Sequence, residues 1–102
     1  MKLLVVTSLK EFKKDVSNIL VKAQIPVFSF SDIIGVKANY IPELSDDWFT
    51  HDSDREFKSV FFFSFTDNDK AENALEQIAI FNTLDRVEYP VRGFILPVEL
   101  AV

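Results

Sequence analysis

The clearest pattern in the chain runs from Lys58 to Thr66. There Val60-Phe61-Phe62-Phe63-Ser64-Phe65 reads as a strand with large apolar side chains on both faces. Lys2 to Thr7 predicts a shorter strand of the same kind, bounded by Ser8. Between these two the period changes. Phe12, Val16, Ile19, Leu20 and Ala23 recur at helical spacing, with Lys10, Lys13, Lys14, Asp15 and Lys22 on the opposite side. Ser8-Leu9-Lys10-Glu11 matches the S-x-x-E capping box, which places a helix start at Ser8. Pro26 ends the helical unit and opens a strand from Val27 to about Val36, interrupted by Gly35. After the phenylalanine-rich strand, Asp67 or Asp69 caps a second helix that carries Ala71, Ala74, Leu75, Ile78 and Ala79 on one face. A connection through Tyr89-Pro90 then leads to a last strand, Arg92 to Val98.

The order βαββαβ is the split βαβ arrangement of an α+β, ferredoxin-like fold. Right-handed crossovers put both helices on one face of a four-stranded antiparallel sheet, with the second and fourth strands at its edges. Pro26 and Pro97 fall in those two strands, where a missing N–H does least harm. Residues 1–102 are expected to form a single domain. The sheet face without helices should then alternate to polar residues. It does not: Phe61, Phe63 and Phe65 oppose Val60 and Phe62, Leu3 and Val5 oppose Leu4 and Val6, and Phe94, Leu96 and Val98 oppose Ile95 and Pro97. Ser29, Ser31 and Ser64 dilute this surface without removing it. Fully burying one large apolar side chain is worth about 1.5–3 kcal/mol. An open face of this composition therefore predicts a cover: a homo-oligomer formed through the sheet is expected, with a loop or the C-terminus folded over the face as the alternative.

A polar connection of about twenty residues, roughly 37–57, separates the second and third strands, an unusual length inside a small domain. Between Glu43 and Glu56 six acids face a single cation, Arg55, and this imbalance equals the whole net charge of −5. The same stretch holds Tyr40 nearby, the only Trp (Trp48), Phe49 and the only His (His51). Two chemistries suit it. His51, Asp52, Asp54 and Glu56 form a set of oxygen and imidazole ligands for a divalent metal. Alternatively Trp48 and Phe49 act as an aromatic anchor with an acidic rim, docking on a basic protein partner. A solvated loop whose aromatics fold back over the sheet is the plainest alternative.

Composition narrows the function classes. With no Cys, disulfides, thiolate metal sites and cysteine nucleophiles are excluded. Two Gly are too few for a glycine-rich phosphate cradle, and neither the P-loop, the dinucleotide fingerprint nor the G-x-S-x-G elbow occurs. The four apolar residues Leu3 to Val6 are too short for a signal peptide core, and no stretch is long enough to span a bilayer, so a cytoplasmic protein not inserted in membrane is expected. Lys58 to Phe65 superficially resembles the RNA-stacking octamer of RNA-recognition motifs, but it lacks the glycines. A pI near 4.7 also opposes phosphate binding, so no nucleic-acid partner is expected. An enzyme using His51 as general base beside Asp52 or Asp54 is an alternative. No nucleophile stands out, and no catalytic residue is assigned.

Several segments together resemble the PII-like superfamily of trimeric signalling proteins. They are the opening Met1-Lys2 strand, the helix near Glu11, the apolar open face and the long connection. Ile34-Gly35-Val36-Lys37-Ala38-Asn39 sits where that family has a G-x-G-x-Q turn, with Gly35 matching and Lys37 and Asn39 replacing the second glycine and the amide. Gly93 to Glu99 is similar to the family's G-K-I-F-V-x-P-V strand. The resemblance implies a non-enzymatic regulatory protein, a trimer, whose long loop responds to a small ligand in a cleft between subunits. Gly35, Lys37, Asn39, Lys58, Arg86 and Arg92 are the residues it offers for that ligand. The family's glycine- and lysine-rich B-loop is replaced by Thr83 to Pro90 and an arginine-rich tail is missing, so the family's phosphate-gripping donors are not matched and nucleotide binding is left open. Val87-Glu88-Tyr89-Pro90 also resembles the divalent-cation-tolerance (CutA) proteins, which share the trimeric fold and imply a metal-binding alternative. The cofactor is left open between these, with a divalent metal as the candidate.

Overall fold

Strict alternation along the first strand decides how the sheet is layered. Leu4, Val6 and Ser8 are buried beneath the helices, while Leu3, Val5 and Thr7 point to the other side. A computed structural model describes residues 1–38, 56–85 and 89–102. Its elements are β1 (Lys2–Leu9), a 3-10 turn (Lys10–Phe12), α1 (Lys13–Lys22), β2 (Ser29–Val36), β3 (Glu56–Thr66), α2 (Asn68–Asp85) and β4 (Arg92–Pro97). The sheet order is β2-β3-β1-β4 and every pairing is antiparallel. The α+β, ferredoxin-like arrangement with β2 and β4 at the edges is therefore as expected. Among the described residues no helix is long and apolar enough to cross a membrane.

One layer of core lies between sheet and helices. Leu4, Val6, Val60 and Phe62 rise from the sheet to meet Val16, Leu20 and Ala23 of the first helical unit and Ala71, Ala74 and Ile78 of α2. Phe12 and Phe81 meet edge to face at 5.7 Å between ring centres and tie the start of α1 to the end of α2. Phe62 is the most voluminous fully buried side chain, and the rings of Phe28 and Phe30 lie 6.4 and 5.9 Å from it. Gly93 lies on the helix side of β4, where a Cβ would strike the Leu75 side chain; its absence lets α2 settle on the sheet. α1 closes in a Schellman motif: Gln24 takes φ 63°, its N–H donates to Val21 O at 3.0 Å, and Ile25 N–H donates to Leu20 O at 3.1 Å.

Several boundaries differ from expectation. β1 does not stop at Ser8, because Ser8 and Leu9 continue the ladder opposite Val60 and Ser59. The capping box accordingly does not form. The Ser8 hydroxyl donates to Leu9 O at 3.0 Å, and α1 starts later, at Lys13, with no side-chain cap. β2 begins at Ser29, so Pro26 precedes the edge strand, whereas Pro97 is the last residue of the other edge strand. Ala79 is exposed and does not belong to the buried face of α2. Glu56 and Phe57 are the first residues of β3, paired with Val36 and Gly35, so the polar connection is shorter than expected. Asp67, of the two candidates, caps α2: its carboxylate accepts the Lys70 N–H at 2.9 Å.

Candidate ligand cleft

β1 ends opposite Ser59, but β2 and β3 continue beyond it as a two-stranded ribbon from the Ile34–Lys58 pairing outward. The end of the open sheet face is thus a step: the ribbon on one side, the start of β4 on the other. A cleft of about 320 Å³ occupies that step. Ile33 and Gly35 of β2, Phe57 and Ser59 of β3, and Thr7 and Leu9 of β1 form its floor and one wall. Tyr89, Pro90 and Arg92 form the other. A smaller recess of about 50 Å³ lies between Leu9, Phe57, Tyr89 and Lys37.

Each wall is held by a specific contact. Gly35 allows the Phe57 ring to lie across its Cα in a cross-strand pair, the position a side chain at 35 would otherwise fill. The Ser59 hydroxyl donates to Ser8 O at 2.7 Å and keeps β1 and β3 joined at the floor. The far wall depends on Asn82 of α2. Its Nδ2 donates to Val91 O at 2.8 Å and its Oδ1 accepts the Val91 N–H at 2.9 Å, which fixes the backbone between Pro90 and Arg92. Lys37 reaches across: its ammonium donates to the Tyr89 hydroxyl at 3.4 Å and lies 5.4 Å from the centre of that ring.

Of the expected ligand residues, Gly35 and Arg92 line the cleft and Lys37 lines the adjoining recess. Lys58 does not join them. It alternates to the helix side of the ribbon, in a separate shallow groove with Lys10, Asp32, Ile33, Ile34 and Ser59. Asn39, Arg86, Trp48, Phe49, His51, Asp52 and Asp54 lie outside the described residues. Glu56, the remaining expected metal ligand, is exposed at the start of β3, and among the described residues no group of three His, Asp or Glu is arranged to hold a metal. Sequence reasoning missed the aromatic walls. Phe57 read as the end of a loop and Tyr89 as part of a connection, and only the ribbon's length brings them to one cleft.

No protein-family model matches the sequence, and no curated protein matches it. Solved structures do match in three dimensions. A proposed PII-like signalling protein from Thermus thermophilus superimposes with a TM-score of 0.63 at 12% identity, over 92% of this chain and 82% of that one. CPII, a nitrogen regulatory PII-like protein from Thiomonas intermedia solved with ADP, AMP and bicarbonate, gives a TM-score of 0.62 at 11% identity, over 99% and 94%. This chain has the PII-like fold. Within the PII-like fold its cleft lies at the root of the connection between β2 and β3, walled by the residues that lead into β4.

Proposed function

We propose that this chain is a non-enzymatic, PII-like regulatory protein that binds a small ligand in the cleft and signals through the segment between β2 and β3. The observation that carries the reading is the position of the cleft. Gly35 and Phe57, which wall it, stand on the two strands that enter and leave that segment, and Lys37 follows directly on β2. A ligand that tightens these walls changes the anchor points of the connection itself. CPII, with nucleotides and bicarbonate bound, supplies the analogy for a ligand of modest size. The acidic connection, with Trp48 and Phe49, is the surface proposed to meet a protein partner.

The same reading includes a homo-oligomer, a trimer, closed through the open sheet face. Phe63, Phe65, Phe94 and Leu96 share that face and are 36%, 55%, 50% and 43% exposed, a contiguous apolar surface of the kind that subunits cover. The test is amide hydrogen exchange across residues 39–55 with and without AMP, alongside native mass spectrometry. Slower exchange in that segment on an oligomer that binds AMP stoichiometrically is the expected result. Binding that leaves the segment's exchange unchanged would end the signalling role.

A further inference from the structure

We infer that the cleft takes a flat aromatic ligand bearing one compact anionic group, and that it discriminates against di- and triphosphates. This rests on the ligand-binding reading above and narrows it. The phenyl ring of Phe57, the phenol ring of Tyr89 and Pro90 offer apolar surfaces to a ring, and in the single chain the two aromatic residues are 37% and 48% exposed. Arg92 stands among them, exposed, on the open-face side of β4 opposite Thr7. Its planar fork matches a single carboxylate or terminal phosphate through two hydrogen bonds. Among the described residues, the second cation beside the cleft is Lys37, and it is already turned onto the Tyr89 hydroxyl and ring.

A polyphosphate asks for more than one guanidinium. It is usually cradled by successive backbone N–H groups, exposed where glycine leaves the backbone bare. This chain has two glycines, and both are already covered. Phe57 lies over Gly35 on the cleft side, and Leu75 lies over Gly93 on the helix side. The ring that closes the first potential anion cradle is the same ring that builds the aromatic wall. A net charge of −5 adds a repulsion that grows with each further phosphate.

The experiment is calorimetric titration of the full chain, at fixed ionic strength, with AMP, ATP, tripolyphosphate and indole-3-acetate. AMP or indole-3-acetate is expected to bind about tenfold more tightly than ATP, and tripolyphosphate to give no heat. Which of the first two binds tells a nucleotide from a free aromatic acid. Tyr89→Leu and Arg92→Gln, checked for folding by circular dichroism, are each expected to weaken that ligand about tenfold. If ATP binds as tightly as AMP and Arg92→Gln weakens both, the discrimination is overturned while the cleft remains a binding site. If no compound binds, or neither substitution changes binding, the ligand-binding reading of the cleft falls with it.

Discussion

Asn82 is the residue on which the far wall of the cleft depends. Its carboxamide pairs with both the N–H and the C=O of Val91, as a neighbouring strand residue would, one position before β4 begins. Truncation to Ala leaves both groups of a buried residue without that partner, and Asn82→Ala is expected to lower stability by about 1–3 kcal/mol, read as a lower urea midpoint at unchanged slope. Helical spacing after Ile78 places position 82 near the core side, so its inward direction was legible. Its partner was not, because Val91 lies past the end of the helix, where the period no longer applies. Asp67 acts at the opposite end of α2. The Lys70 N–H bonded to its carboxylate holds its pKa below the usual aspartate value. A depressed folded pKa favours the native state above the unfolded value, about 3.9, and that contribution is lost as pH falls through the folded value. The stability difference between the wild type and Asp67→Ala, followed by thermal unfolding, is therefore expected to hold steady from about pH 7 to about pH 5 and to shrink below about pH 4.

At the scale of elements, the contact between α2 and β4 is set by a missing side chain. A Cβ at Gly93 would meet Leu75 and come within 3.3 Å of Ile78 Cδ1. Gly93→Ala is expected to cost about 1–3 kcal/mol, and less in a Leu75→Ala background; a double-mutant cycle measures that coupling. Strand and helix identities were readable because β3 is a short run rich in Phe and Val, and because apolar residues recur at 3.6-residue spacing most clearly in α1. The start of α1 was not. A capping box is a local preference worth little beside cross-strand pairing, and Ser8 and Leu9 are held in β1 by Val60 and Ser59. The same competition explains the longer β3, where Phe57 is drawn into the ladder by the room above Gly35.

For the molecule as a whole, topology followed from element order, and the open apolar face followed from apolar residues on both sides of three strands. What assembles the cleft did not follow, because Phe57, Tyr89 and Lys37 share no spacing in sequence and meet only through the overhang of β2 and β3 past β1. The proposed subunit contact gives a direct test at this scale. Phe63→Glu places a charge at the middle of the open face, beside Phe61 and Phe65 at 6.0 and 6.4 Å between ring centres. The variant is expected to elute as a folded monomer in size-exclusion chromatography with light scattering, since charge at the core of an apolar interface is strongly disfavoured.

The inner position of β3 also has a consequence for how this protein fails. Val60 to Phe65 is an uncharged run without Pro or Gly, the composition that stacks into cross-β fibrils once its backbone is free to pair. In the native sheet β1 and β2 take both of its edges, and Lys58 and Asp67 bracket it with opposite charges. β2, by contrast, is exposed along nearly its whole length. Peeling β2 away is therefore the dangerous step: it turns the most aggregation-prone segment into a sheet edge while the rest of the domain still holds it extended.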